Sequence, residues 1–389
     1  MTVKSKRRIL AITTAIITAA CLFWVSTAFG EPGKEPIKIG GIFSVTGPAS
    51  FLGDPEKKSM ELAIDMINAN GGIDGRMLEA VIYDTEGDPS RAVMNARRLI
   101  TRDDVTAIIG PSLTPTSLAV VPAAERANVP LISCAAGNEI TDPIKPWVFK
   151  TAQSDIHAVS SIYGHMQDNG IEKVAIITVS DSFGESGKDQ LLEQAGDFGI
   201  EIVAQESFGG SDTDMTSQLT NIRRAGPDAL ICWDTNPGPA VIARNVQQLG
   251  MDIPLYNSHG VASPRFIELA GDAAEGILLP TGKILVADIL PDDDPQKQVL
   301  LDYIDSYEER FNETASSFGG YSYDAINLLA KAMKDTDADK SKIRDNLENI
   351  KGHVGISGEF NFSETDHNGL DPSAFVMVRI TDGTWELVE

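Results

Sequence analysis

"VTAIIGPSLTPTS" (residues 105–117) runs from an apolar strand through a Gly-Pro turn into a burst of hydroxyls at the point where a helix begins. A short, continuously apolar run is what a strand buried on both faces looks like. A helix following it directly makes the pair one step of a parallel α/β sheet. Thr114, Thr116 and Ser117 have two readings here. They are plain helix caps, or they are donors for a ligand that needs hydroxyl and backbone N–H groups.

The same step recurs on both sides. "PIKIGGIFSV" (36–45), "MLEAVIYD" (77–84) and "VPLISC" (129–134) read as strands. Asp54 to Asn68, Pro89 to Ile100 and Ser117 to Ala127 read as helices, the first stopped by Asn70-Gly71-Gly72. The rhythm then restarts with "KVAIITVSD" (173–181), "IEIVAQESF" (200–208), "DALICW" (228–233) and "IPLYNS" (253–258) as strands. Helices over 184–198, 213–225 and 237–249 lie between them. After Pro291 the chain is helical up to Lys351, and it ends in strand-like "GEFNF" (358–362) and "AFVMVRI" (374–380). The expected fold class is therefore α/β, with two similar doubly wound parallel-sheet lobes joined by a multi-crossover hinge. Lobe one takes 36–152 plus 283–357, and lobe two takes 153–282 plus 358–389.

Residues 1–30 read as a secretory signal peptide: Lys4, Lys6, Arg7 and Arg8, then an apolar stretch, then Ala28-Phe29-Gly30. The alternatives to a free periplasmic chain are an uncleaved membrane anchor, because the apolar run is fairly long, and a lipid anchor, because Thr18-Ala19-Ala20-Cys21 weakly resembles a lipoprotein cleavage box. Without those four basic residues the net charge goes from −24 to −28. A chain this acidic is expected to avoid nucleic acid and anionic lipid. Cys134 and Cys232, the cysteines outside the leader, read as buried free thiols rather than a disulfide framework.

The motifs of catalysis are missing. No GxGxxG follows a strand, and neither a GxxxxGK[ST] loop nor a GxSxG elbow occurs. The five histidines form no clustered metal set, and His157 and His165 read as solvent-exposed on a helix. Asp335, Asp337 and Asp339 imitate the start of a calcium loop. Lys340 and Asn346 replace its required glycine and glutamate, so a solvated turn is expected. Ser258 beside His259 is a poor nucleophile–base pair, because adjacent side chains on an extended strand end diverge. No catalytic residue, metal or cofactor is assigned.

In an open parallel sheet a ligand sits beyond the carboxyl ends of the strands. The loops there in lobe one include Thr46-Gly47-Pro48, Gly110 to Thr116 and Cys134 to Asn138. Helix starts offer free N–H groups and partial positive charge. Thr114 and Thr116 add hydroxyls, and Ala135-Ala136-Gly137 lets a ligand approach the backbone closely. Together these suit a carboxylate.

"GPASFLG", "AIDMINANGGIDG", "AIIGPSLTPTS", "VPLISCAAGNEIT" and "DSFGESGKD" together resemble the solute-binding proteins of branched-chain amino-acid-type ABC transporters, in order and over nearly the whole chain after residue 30. The resemblance implies a type I periplasmic binding fold, with a ligand trapped between lobes that cross three times. It places the family's carboxylate-binding serine on Thr114, a backbone contact on Ala135, and a threonine contact on Gly137, where the hydroxyl is lost. One tyrosine falls on Phe183 and a second near Thr235. The ammonium-binding glutamate falls at His259, with Asp234 as its substitute. Leu52 or Phe51 is expected at the mouth, Ala136 beside the carboxylate, and Trp233 either in the core or on the pocket.

The expectation is thus a monomeric, non-enzymatic periplasmic receptor that delivers a small carboxylate, an amino acid in the leading reading, to an inner-membrane ABC permease. The alternatives are an aromatic or other organic acid lacking an ammonium, an amide or urea-like solute, or a sensor serving a receptor or regulator.

Overall fold

The computed structural model describes residues 34–235 and 237–388. The leader read over 1–30, with Cys21, lies outside the described residues. The first α/β unit comprises β1 (Ile37–Phe43), α1 (Ser50–Ala69), β2 (Leu78–Asp84), α2 (Pro89–Arg98), β3 (Ala107–Ile109), α3 (Thr114–Ala127), β4 (Leu131–Ser133) and β5 (Val148–Lys150). Its five strands are all parallel, in the order β2-β1-β3-β4-β5. The residues of β3 and β4 are buried throughout, as their unbroken apolar runs require.

The second unit repeats this plan. It comprises α4 (Asp155–Asp168), β6 (Lys173–Val179), α5 (Ser182–Gln194), β7 (Glu201–Phe208), α6 (Thr216–Ala225), β8 (Ala229–Trp233), α7 (Gly238–Gln248), β9 (Leu255–Asn257), α8 (Pro264–Ala270) and β10 (Leu278–Thr281). The order β7-β6-β8-β9-β10 is that of the first sheet, strand for strand. The helical block follows as α9 (Lys297–Phe311), α10 (Ser317–Met333) and α11 (Lys340–Glu348), and α10 packs along α1 of the first lobe. A short hairpin, β11 (His353–Val354) with β12 (Glu359–Phe360), precedes β13 (Val376–Thr381) and β14 (Thr384–Leu387). These last two strands extend the second sheet antiparallel from β10, so that sheet is mixed at one edge.

The chain passes between lobes three times. The first two passages follow β5 and β10, and they meet where the Gln153 side chain donates to Ser357 O at 2.9 Å and lies against Gly282. The third comes later than the sequence reading of 358. Residues 359–370 stay on the first lobe, with Phe362 edge-on to Phe149 and His367 stacked on the same ring at 4.1 Å. Lys150 N–H donates to His367 O. The chain rejoins the second sheet only at Val376.

Buried Asp324 of α10 holds the neighbouring segment, accepting from Ile356 N–H, Ser357 N–H and Ser357 Oγ. Cys134 and Cys232 are buried free thiols. The expectation for His165 fails: it is buried, with Nδ1 3.0 Å from Tyr256 Oη. Its helix needs a polar group there to meet the buried Tyr256 phenol. His157 is half-buried.

Candidate ligand-binding cleft

The loops after β1, β3 and β4 face those after β6, β8 and β9, at the point in each sheet where the strand order reverses. That point is where open α/β sheets present backbone groups to a ligand. Between them lies a cleft with about 460 Å³ free of protein atoms, counting the part open to solvent.

The first-lobe wall begins at Gly110. Its φ is +90°, and a Cβ there would lie 2.2 Å from Ile42 O, so only glycine turns the chain out of β3 at this point. Helix α3 then starts at Thr114, three residues before the sequence reading. The hydroxyls divide between the two roles. Thr116 Oγ1 accepts from Leu113 N–H at 3.3 Å and donates to Leu113 O at 2.9 Å, which closes the first turn. Ser117 Oγ is 2.7 Å from Ser133 Oγ and donates to Pro111 O. Thr114 caps nothing: its Oγ1 accepts from Gly137 N–H at 3.1 Å, and its side chain lies on the cleft. A Cβ on residue 137 would lie 2.4 Å from Thr114 Cγ2. The β-branched hydroxyl at 114 and the bare backbone at 137 are therefore one steric unit. The methyl of Thr114 fills the space a side chain at 137 would need.

Leu52 of α1, Ala135 and Ala136 complete this wall, with Phe318 and Tyr321 of α10. Behind Ser112 and Tyr321 sits Glu56, wholly buried. One of its carboxyl oxygens accepts from Ser112 Oγ, and the other has no partner. Burial pushes its pKa well above the usual carboxylate range, against the pull of Ser112.

On the second-lobe wall Asp181 caps α5, accepting from Phe183 N–H at 2.8 Å and Gly184 N–H at 3.1 Å. This turn sets Phe183 on the cleft. Ser258 Oγ donates to Asp234 O at 2.8 Å and accepts from Gly260 N–H, tying together the loops after β8 and β9. With its hydroxyl so used, Ser258 serves as a brace. His259, which follows it, also lines the cleft. Its ring is packed edge-on by Phe183, Trp233 and Phe375 at 5.9, 6.1 and 5.3 Å. Neither ring nitrogen has a hydrogen-bond partner. Burial, with the positive charge of Lys150, drives its pKa down to about 3, so the ring is neutral.

Of the residues named from the sequence, Leu52, Thr114, Ala135, Ala136, Phe183, Thr235 and His259 come together on the cleft. Three do not. Gly137 lies behind Thr114. Trp233 is fully buried beneath Phe183, as core. Asp234 turns its carboxyl toward the start of α7, where a Cβ on Gly238 would lie 2.2 Å from Oδ2. Burial raises its pKa, opposed by the Thr235 N–H. Phe51 lies in the wider outer mouth, with Pro237 and Arg265 opposite.

The sequence reading placed the loops that carry Ser112 and Cys134 at the ligand end without singling those residues out, and it missed Asp181, Phe318 and Tyr321 on the cleft and Glu56 behind it. Glu56 left a usable signal. It stands four residues from both Leu52 and Met60, an acid inside the apolar stripe of α1. Among the described residues, no cluster of histidine, cysteine or acidic side chains could hold a metal ion, and no helix is long and apolar enough to cross a membrane.

Known proteins match this architecture. The periplasmic binding protein family matches residues 36–384. A leucine-, isoleucine-, valine-, threonine- and alanine-binding protein of Pseudomonas aeruginosa is 26% identical over 330 residues, which cover 83% of this chain and 86% of that protein. The crystal structure of an extracellular ligand-binding receptor from Rhodopseudomonas palustris HaA2 superposes with a TM-score of 0.85. It is 29% identical and covers 91% of this chain and 100% of its own. The branched-chain amino-acid substrate-binding protein LivJ of Streptococcus pneumoniae, solved with isoleucine, gives a TM-score of 0.80 at 27% identity, over 91% of this chain and 99% of its own. Two lobes of one strand order, three passages between them and a cleft at the facing strand ends are thus the type I periplasmic binding fold, and the chain belongs to the periplasmic binding protein family of non-enzymatic solute receptors.

Proposed function

We propose that the protein captures a small organic carboxylate lacking an ammonium group, and delivers it from outside the cytoplasm to an ABC permease. The carboxylate rests at the start of α3, against the Thr114 hydroxyl and the backbone of Ala135 and Ala136, where unpaired helix N–H groups favour negative charge. Leu52, Leu113, Phe183, Phe318 and Tyr321 enclose its apolar body. The leader read over 1–30 supports export.

The observation that carries the ligand class is the state of His259. At the position the family resemblance gives to an ammonium partner stands a buried ring held neutral, and its substitute Asp234 turns away. The nearest carboxylate, Asp155 behind His259, is already balanced by buried Lys150, and an ammonium without an anion of its own in a closed cleft is strongly disfavoured. This reverses the order of the two ligand classes as read from the sequence.

An amino acid is the second reading. It is favoured by Asp181, the carboxylate on the cleft wall, and by the amino-acid ligands in the names of the Pseudomonas and Streptococcus proteins.

Thermal-shift titration with leucine and 4-methylpentanoate, and with phenylalanine and 3-phenylpropanoate, separates the two. A ligand at a hundred times its Kd adds about 2.7 kcal/mol to stability. Stabilisation by an amino acid and not by its ammonium-free counterpart would sink the leading reading.

A further inference from the structure

Behind His259 lies a second unsatisfied group. Asp155, the first residue of α4, is wholly buried. Its Oδ2 accepts from Ser186 Oγ at 2.5 Å, while its Oδ1 has no hydrogen-bond partner. That oxygen is 3.9 Å from His259 Nε2, which has none either. The gap is too long for a hydrogen bond between them. An oxygen atom placed to one side of the line between them, about 2.8 Å from each, would reach both. Two buried polar atoms that face each other unpaired are costly. Here one of the two residues lines the cleft.

The place of this pair relative to the carboxylate end is fixed by the backbone. Asp155 N–H points to Ala136 O at 3.4 Å, and Lys150 Nζ donates to Ala136 O at 2.8 Å and Gly137 O at 3.2 Å. The Asp155–His259 gap therefore adjoins the first-lobe loop that receives the carboxylate. A group filling it belongs on the carbon next to the carboxyl, not at the ligand's far end.

Donor and acceptor matching decides what that group is. Lys150 is wholly buried, spends its third proton on Ser154 Oγ at 2.9 Å, and supplies positive charge to balance Asp155. His259 is neutral. An ammonium can donate to Asp155 Oδ1 but offers no acceptor to a protonated Nε2 of the neutral imidazole, whereas a hydroxyl serves both atoms.

Building on the carboxylate reading above, we propose that the cleft selects 2-hydroxy carboxylates, the ligand hydroxyl accepting from His259 Nε2–H and donating to Asp155 Oδ1. Asp155 is then a specificity-determining residue that the family resemblance does not supply. Burial pushes its carboxyl up to about 7 against the pull of Ser186 and Lys150. A hydroxyl can serve either protonation state of that carboxyl, because it both donates and accepts.

Calorimetry on the full chain with three matched acids tests this: 2-hydroxy-4-methylpentanoate, 4-methylpentanoate and leucine, repeated with the phenyl series. The wild type is expected to bind the hydroxy acid about tenfold or more tighter than the unsubstituted acid, the scale of one buried hydrogen-bonded pair. Asp155→Asn and His259→Phe should each erase most of that ratio. His259→Phe keeps the ring packing if Asp155→Asn weakens folding. Equal binding of hydroxy and unsubstituted acids overturns this inference and leaves the carboxylate reading standing. Leucine binding tighter than both overturns the two together, as does no binding by any of the acids.

Discussion

The two walls of the cleft treat their polar groups in opposite ways. On the first lobe the lining hydroxyls are occupied: Thr114 receives Gly137 N–H, Thr116 bonds within its own turn, Ser117 bonds to Ser133 and Pro111 O, and Ser112 serves Ser44 N–H and one oxygen of Glu56. On the second lobe the His259 nitrogens, Asp155 Oδ1 and the Trp233 indole N–H are buried with no partner. One wall is a scaffold whose lining hydroxyls are already paired. The other holds its hydrogen-bonding capacity open within a shell of rings. The first arrangement suits a feature common to many ligands, and the second suits the feature that distinguishes among them.

The contrast breaks first at the rings. Phe183 packs on both Trp233 and His259. Phe183→Ala should cost about 3–5 kcal/mol of stability, the range for emptying a buried phenyl site. Urea unfolding measures it. A loss under about 1 kcal/mol would mean the second wall is not held by its aromatic shell.

Acid titration should drive the walls apart. The folded pKa of His259 lies below its ordinary value, at about 3, so its contribution is intact above about 6.5 and is lost as pH falls. Relative to His259→Gln, the wild type should lose about 3 kcal/mol between pH 7 and pH 4. The folded pKa of Glu56 is raised, so its contribution is present at low pH and lost as pH rises through it. Relative to Glu56→Gln, the wild type should gain stability on acidification. Deviations of the same sign would refute the opposed electrostatics of the two walls.

Smaller effects sharpen the division of labour among the hydroxyls. Thr114→Val should weaken binding of the best carboxylate by about 1–3 kcal/mol, with some loss of stability because Gly137 N–H is left unpaired. Gly137→Ala should weaken binding as well, and Thr114→Ser in the same chain should restore it by removing Cγ2. Thr116→Val should cost about 1 kcal/mol of stability and leave affinity unchanged. If Thr116→Val lowers affinity as much as Thr114→Val, the first turn of α3 acts as a unit.

The fold was legible because buried parallel strands are continuous apolar runs, and β1, β3, β6 and β8 are all of that kind. Val148–Lys150 and Thr384–Leu387 escaped notice because short edge strands carry too few residues for any periodicity. The site was legible where a single loop carries it, as at Thr114 or Phe183. Tyr321 and Phe318 reach the cleft from a helix that returns from the far end of the chain, and nothing local to "SFGGYSYD" states which face it presents. Asp155 was hidden for another reason. An acid at the first position of a helix is ordinary, and only the packing of His259 beside it makes it unusual.

The burial of Trp233 has an optical consequence. Its indole lies 6.1 Å, centre to centre, from both Phe183 and His259, the two rings of its wall that line the cleft. The N–H of that indole is unpaired, so its excited state is sensitive to any dipole placed nearby. Trp147 and Trp385 lie on other elements, one before β5 and one in the edge strand β14. The receptor thus carries a built-in fluorophore one ring away from its cargo. Intrinsic emission should follow occupancy of the cleft, and Trp233→Phe should silence that signal.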